Sequence, residues 1–277
     1  MKLFFLVVLL LQLQNWPLAN AYNYCDHNEN ICAPLIRKHF ICSLEAELPP
    51  LFNRTTLLLS MPDTYALRDL ILEYHNKFRN RVASGLLIAA NNQTFPPASR
   101  MRELIWDMEL AYTARIHAKT VSFKHSLCRS VQRFRNVGEN LSMTFSTGKL
   151  STIADLLDAT LLGMFNEYLL IDDPASVPND LDFITFTTVG HFLLIANERV
   201  SRVGCSIAIG TKCMKIASYC YFLTCHYDFN NRLDSYIYKN GEPVSECELY
   251  DASASSSYRY LCSNTGRIFP SNHGDDS

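Results

Sequence analysis

Long charged runs are missing from this 277-residue sequence. Its 25 lysines and arginines are balanced by 27 aspartates and glutamates, which gives a net charge of −2, and the basic residues are scattered along the chain. Proteins that bind nucleic acid through its phosphates need a basic patch or stripe. The composition therefore predicts that nucleic acid is not a partner.

Several catalytic and metal-binding signatures are missing as well. The sequence contains no G-x-S-x-G turn, no H-E-x-x-H pair and no C-x-x-C pair. The first absence argues against an α/β-hydrolase and the second against a zinc protease of that type. The third argues against a zinc site built from cysteines.

Long apolar runs are confined to the start of the chain. Lys2 precedes an apolar run over residues 3–11, and Ala19-Asn20-Ala21 follows as a small-x-small cleavage site. The run is shorter than the roughly 18 apolar residues that a membrane span needs. We therefore predict a signal peptide over residues 1–21, secretion of a chain that starts near Tyr22, and no membrane span after cleavage. An uncleaved signal anchor is the alternative.

The sequence does contain an even number of cysteines. All ten follow the predicted cleavage site, at positions 25, 32, 42, 128, 205, 213, 220, 225, 247 and 262. In a secreted chain such a set indicates five disulfides, whose pairing the sequence alone leaves open. Three N-x-S/T sequons, at Asn53, Asn92 and Asn140, are predicted glycosylation sites of the same secretory route.

Helical and strand-like segments are mixed without a repeating strand–helix order. Apolar residues at helical spacing indicate one helix between Pro62-Asp63 and Gly85, a second capped by Asp107 and a third beginning at Thr152. Two β-prone stretches follow, at residues 202–210 and 216–228, whereas residues 22–60 show no sustained period. This mixture predicts a layered α+β domain rather than a doubly wound sheet.

Two residues in apolar surroundings lack an obvious partner. Glu167 shares a helix face with Met164 and Ile171, where an unpaired carboxylate is costly unless it reaches water at the edge of the stripe. His191 follows Gly190 inside an apolar run. Each is either a satisfied core residue or one member of a site whose other members lie far away in the chain.

Seven short motifs, taken in order, resemble a known family. They are EYHNKFRNRVASG (73–85), MRELIWDMELAYTARIHA (101–118), FKHSLCR (123–129), VGENLS (137–142), VGHF (189–192), RVGC (202–205) and LTCHY (223–227). Together they resemble the CAP superfamily of cysteine-rich secretory, antigen 5 and plant pathogenesis-related proteins. In addition, IYKNGEPVSEC (237–247) is similar to the tail of insect antigen-5-like members.

The resemblance implies the domain organisation and a candidate site. It implies a three-layer α-β-α sandwich over residues 61–230, after a cysteine-bearing N-terminal extension (22–60) and before a short cysteine-containing tail (231–277). It also implies a central cleft lined by two histidines and two acids. Matched motif by motif, these are His125, Glu139, Glu167 and His191.

The chemistry expected of these four residues is limited. Two imidazoles can bind zinc weakly with water completing the shell, so His125 and His191 are the predicted metal ligands, and no cofactor is required. The carboxylates would orient the imidazoles or position that water. The competing interpretation is a satisfied polar network that is buried for structural reasons.

Disulfide pairing follows from the resemblance for six of the ten cysteines. By family position, we expect Cys25–Cys42, Cys32–Cys128 and Cys205–Cys225. The remaining four cysteines are then expected to pair as Cys213–Cys220 and Cys247–Cys262, on proximity alone.

The surroundings of the four cleft residues depart from the family pattern. Leu193, Leu194 and Asn197 stand where the family usually has Thr, Gln and Trp, Met164 stands in place of another Trp, and Phe229, Asn231 and Arg232 replace a usual Pro and Gly-Asn. These changes reshape the walls of the cleft, so a relative's ligand need not transfer to this chain.

Three classes of function follow from these observations. The first is a secreted, non-enzymatic protein that binds an extracellular protein or receptor, of the venom, salivary or reproductive-secretion type. The second is a carrier of sterols or fatty acids, for which a lipid would be the partner. The third, a zinc-dependent hydrolase, has the least support because the sequence offers no recognisable nucleophile.

Overall fold

A computed structural model describes residues 22–26, 31–32, 37–179, 182–215, 217–233 and 235–268. The predicted signal peptide (1–21) lies outside these residues, as does the end of the tail (269–277). Within the described ranges, no helix is both long and apolar enough to cross a bilayer.

The three helices predicted from the sequence begin where it offers capping side chains. Thr64, Asp107 and Thr152 each accept a hydrogen bond from a backbone N–H of the first helical turn, which confirms the three predicted starts to within three residues. The α-helices are α1 (Leu44–Glu47), α2 (Tyr65–Ala83), α3 (Met108–Lys119), α4 (Ile153–Leu157), α5 (Gly163–Phe165), α6 (Phe183–Thr188) and α7 (Gly190–Ala196).

The third predicted helix is not a regular α-helix throughout. After α4 the chain makes a π-helical turn (Asp158–Leu162), continues as α5 and ends in a 3-10 segment (Asn166–Leu170). A π-helical turn inserts an extra residue and rotates everything that follows it. Glu167 lies in the 3-10 segment and bonds the start of α7.

The strands form one sheet in the order β1-β4-β5-β3, all antiparallel, with β2 added in parallel beside the start of β4. Their bounds are β1 (Thr56–Ser60), β2 (Ile105–Trp106), β3 (Gly138–Ser146), β4 (Arg202–Thr211) and β5 (Tyr219–Tyr227). The two strands predicted from the sequence are β4 and β5. The expectation that residues 22–60 are irregular is wrong at β1, because pairing with the distant β4 makes this segment a strand.

Helices cover both faces of the sheet. Tyr227 of β5 contacts His75 of α2, whereas the preceding His226 contacts Thr113 of α3. Since successive side chains of a strand point to opposite faces, α2 and α3 lie on opposite sides. A Cβ added at Gly204 in β4 would lie 2.1 Å from the backbone nitrogen of Ala111, so this glycine lets α3 pack directly on the strand. The arrangement is the predicted α-β-α sandwich.

The five expected disulfides are all formed. Cys25–Cys42 and Cys32–Cys128 fasten the N-terminal extension to itself and to the loop before β3. Cys205–Cys225 joins directly paired positions of β4 and β5. Cys213–Cys220 lies at the other end of the same hairpin, and Cys247–Cys262 lies in the tail. No cysteine is left free.

Candidate functional site

The candidate site lies at the edge of the sheet, where β3 begins. β3 is the last strand in the order, and its residues Glu139 and Asn140 are both buried. Because neighbouring residues of a strand point to opposite faces, Glu139 lies on the α3 side of the sheet and Asn140 on the α2 side. The strand therefore brings polar groups of both helical layers to one edge.

Glu139 is surrounded by hydrogen-bond donors. Its Oε1 accepts from His125 Nδ1 at 2.8 Å and from the backbone N–H of Ser126 at 3.0 Å. Its Oε2 accepts from the Ser126 hydroxyl at 2.9 Å and from His226 Nε2 at 3.0 Å. His226 is the residue directly opposite Glu139 across the β3–β5 pairing. Both carboxylate oxygens are thus satisfied on the inside of the protein.

Electrostatics keep this carboxylate ionised. Burial alone would raise the pKa of Glu139, but the Arg129 guanidinium at 3.7 Å and the hydrogen bonds from His125 and His226 outweigh it and hold the pKa well below its usual value. An ionised carboxylate only accepts hydrogen bonds. His125 therefore donates through Nδ1, and its Nε2 carries the lone pair when the ring is neutral.

Two further histidines belong to this cluster, and the sequence analysis missed both. His226 Nδ1 lies 2.8 Å from the Thr113 hydroxyl, and His117 Nε2 lies 3.5 Å from Glu139 Oε2. Burial lowers the pKa of both rings, that of His226 to about 4, so both are neutral at pH 7. They lie inside the motifs at 101–118 and 223–227, but only the assembled fold shows that they converge on Glu139.

Glu167 and His191 form the second pair. Glu167 Oε1 accepts from His191 Nδ1 at 2.5 Å, and Oε2 accepts from the backbone N–H groups of His191 and Phe192, both at 3.1 Å. Glu167 thereby caps the first turn of α7 from a different segment of the chain and stabilises the positive end of its dipole. Glu167 and His191 are therefore partners of each other in the site, and neither is an isolated polar residue of the apolar core.

Asn140 connects the two pairs. Its Nδ2 donates to the backbone carbonyl of His191 at 3.2 Å and to the Tyr227 hydroxyl at 3.4 Å. Because Asn140 is only 2% exposed and its amide is used in this way, the prediction of glycosylation at Asn140 is wrong for the folded protein. Asn53 and Asn92 are exposed, and glycosylation there stays a prediction.

His125 and His191, the two exposed histidines of the site, offer donor atoms that suit a metal ion. The side chains of His125 and His191 are 59% and 33% exposed, and each gives its Nδ1 to a glutamate. A carboxylate that holds Nδ1–H leaves Nε2 oriented outward, as in carboxylate–histidine–zinc arrangements. Within the part of the chain that is described, three possible ligand atoms converge only at His75, Cys205 and Cys225, and those cysteines form a disulfide. Any metal at His125 and His191 would therefore depend on water for its other ligands.

Comparison with known proteins agrees with this fold. Residues 72–227 match the family described as CAP, the cysteine-rich secretory protein family, and the match includes all four cleft residues. The chain belongs to the CAP family.

Insect venom allergens are among its relatives. It is 30% identical over 247 residues to venom allergen-1 of Aedes albopictus, which covers 89% of each chain. It is 33% identical over 188 residues to venom allergen 3 of Solenopsis invicta, which covers 67% of this chain and 76% of the relative. These matches confirm the antigen-5-like resemblance.

Solved structures share the fold. The crystal structure of NaASP2 with Zn²⁺ is similar with a TM-score of 0.59 and 26% identity, over 73% of this chain and 98% of that one. The structure of BmVAL-1 is similar with a TM-score of 0.58 and 27% identity, over 72% and 95% of the two chains.

Proposed function

We propose that this chain is a secreted protein that acts by binding an extracellular protein or receptor and catalyses no reaction at its cleft. The observation that carries this proposal is the state of the two carboxylates. Glu139 accepts four hydrogen bonds and Glu167 accepts three. Carboxylates engaged in this way hold histidines and a helix in place, which favours a structural role over that of a base or nucleophile.

The cysteines support the same proposal. All ten are paired, so the chain offers no thiol nucleophile. The disulfides also brace a scaffold from which loops of varied sequence project, and such loops are where binding specificity resides in many proteins. The residues that depart from the family pattern near the cleft are then positions at which partner choice can differ from that of the relatives.

The test is an activity measurement on a matched pair of variants. We expect purified wild type to show no turnover of peptide or ester substrates above that of Glu139→Gln. Glu139→Gln should also lower the free energy of unfolding by about 1–3 kcal/mol, because its amide nitrogen adds a donor where four donors already point. Glu45→Gln, at an exposed position of α1, serves as the control and should change neither quantity. Turnover that disappears in a folded Glu139→Gln protein would favour a hydrolase instead.

Zinc binding is a second property that the histidines support. We expect weak, reversible binding through Nε2 of His125 and His191, as their glutamate partners orient them, and the relative NaASP2 has been crystallised with Zn²⁺. Calorimetry at pH 7.5 should show zinc uptake that falls at least about tenfold in the double variant His125→Ala, His191→Ala. Equal uptake by wild type and the double variant would refute the assignment.

Lipid transport remains the second candidate function because the surface has a cavity that is lined partly by apolar side chains. A cavity of about 490 Å³ lies between the end of β3 and the β4–β5 hairpin, lined in part by Phe145, Leu150 and Met214. This volume is in the range of small-molecule sites. Mass spectrometry of a lipid extract from the purified protein distinguishes a carrier from a protein-binding role.

A further inference from the structure

A second concave site lies next to the cleft, between the loop before β3 and the loop after β5. It has a volume of about 520 Å³, and three arginines line it: Arg129, Arg135 and Arg232. We call it the arginine pocket. Ser130, Asn136 and Asn230 add a hydroxyl and two amides, and no carboxylate is found among its described lining residues.

Arg129 is held in place from the protein side. Its Nε donates to the Val137 carbonyl at 2.8 Å and its Nη1 to the Ser126 carbonyl at 2.7 Å. The same Nη1 lies 3.7 Å from Oε1 of Glu139, the carboxylate of the cleft, and the Arg129 side chain is only 16% exposed. Glu139 thus balances the charge of Arg129, which leaves the pocket with the charges of Arg135 and Arg232.

These two arginines are exposed and form no ion pair with any described residue. Arg133, only two positions before Arg135, is by contrast paired with Asp107 and Glu109 at 2.8 and 2.9 Å. Two like charges at one pocket without a counter-charge repel each other unless an anion joins them. Arg133 therefore has acidic partners within the protein, whereas Arg135 and Arg232 have none among the described residues.

The loops that carry Arg135 and Arg232 are anchored. The Ser130 hydroxyl donates to the Arg135 carbonyl at 2.6 Å, which closes the loop between them. Asn231, next to Arg232, donates to the Gly190 carbonyl at 3.0 Å and accepts from Asn197 at 3.3 Å. The arginine side chains therefore project from an anchored backbone. Less conformational entropy is lost on ligand binding than if these loops were mobile.

From this geometry we infer that the arginine pocket binds an oxyanion, a sulfate or phosphate group, through Arg135 and Arg232 with Arg129 at its inner wall. Guanidinium groups present paired N–H donors that match the oxygens of sulfate and phosphate, and the amides and hydroxyl offer further donors. The group can arrive as an ester on a sulfated glycan, which fits an extracellular protein, or as a free ion. The inference does not depend on zinc or on the absence of catalysis.

The test compares two probes on one pair of variants. Calorimetry in low-salt buffer free of sulfate and phosphate would use a heparin-derived oligosaccharide and inorganic sulfate. The double variant Arg135→Ala, Arg232→Ala should bind either probe about tenfold or more weakly than wild type, since two charge-assisted contacts are lost. Arg135→Lys, Arg232→Lys should lie between this variant and wild type, because lysine keeps the charge but loses the paired donors.

The control is Arg54→Ala, Arg259→Ala, which removes two exposed arginines elsewhere and changes the net charge equally. Tighter binding of the oligosaccharide than of sulfate, retained in this control, would identify a sulfated glycan as the ligand. Equal affinities for the two probes would identify a free-ion site. No binding of either probe, or equal weakening in the control, would overturn the inference. Thermal unfolding of each variant verifies that it is folded.

Discussion

Replacing Arg79 with methionine is expected to lower the free energy of unfolding by about 3–5 kcal/mol. Arg79 is fully buried in α2 and donates to four backbone carbonyls, those of Arg102, Ile195, Asn197 and Val200, at 2.8 to 3.2 Å. Methionine fills a similar volume but leaves these acceptors without donors. Burial lowers the pKa of Arg79 to about 9, so the charge is present at neutral pH and strengthens each bond.

Urea unfolding of purified protein measures this effect. Lys77→Met, two positions earlier and on the exposed side of α2, is the control and should cost less than about 1 kcal/mol, since it removes only a surface pair with Glu73. Arg79→Lys should fall between the two because an ammonium reaches fewer of the carbonyls. A methionine variant as stable as the control would show that these four contacts contribute little.

Mild acid is expected to destabilise the protein strongly between about pH 6.5 and pH 4. Burial lowers the pKa of His39, His75 and His226 to about 4. The unfolded chain takes up protons on these rings from about pH 6.5 downward, while the folded chain does not, so stability falls as the pH falls through this window. Glu139 has a lowered pKa, and its contribution is lost only at still lower pH.

His75 isolates one part of this effect. Its ring lies between the Ile71 carbonyl and the Tyr227 hydroxyl, at 2.8 and 2.9 Å, and burial, helped by the charge of Arg79, lowers its pKa. A pKa change from 6.5 to about 4 corresponds to roughly 3 kcal/mol. Denaturant unfolding at pH 7 and pH 4.5 should therefore show a smaller acid loss in His75→Gln, by about 2–3 kcal/mol, than in wild type. The same acid loss in both proteins would contradict the prediction.

Local signals in the sequence predicted the parts of the fold that depend on local chemistry. Thr64, Asp107 and Thr152 mark helix starts because a capping side chain acts on residues two or three positions away. The strand β1 has no such signal, since five residues rich in leucine suit either a core helix or a strand. Its pairing with β4, some 150 residues later, decides the structure.

The candidate site, too, could be predicted where it depends on local motifs and not where it depends on distant parts of the chain. The motif resemblance located Glu139 and His125, but it did not show that His226 and His117 complete their surroundings, because this depends on strand register. The role of Arg79 is hidden for another reason. Its partners are backbone carbonyls, which are present at every position and leave no mark in the sequence. The burial of Asn140 is likewise a property of the assembled sheet rather than of its sequon.

The bond between Cys32 and Cys128 has a consequence for the resistance of this protein to proteases. It joins positions 96 residues apart, and the exposed turn at Asn91–Gln93 lies between them. A protease that cuts this turn breaks the chain but does not separate the pieces, because the disulfide still joins them and the broken ends remain beside each other. A single cut at this exposed turn therefore leaves the molecule in one piece.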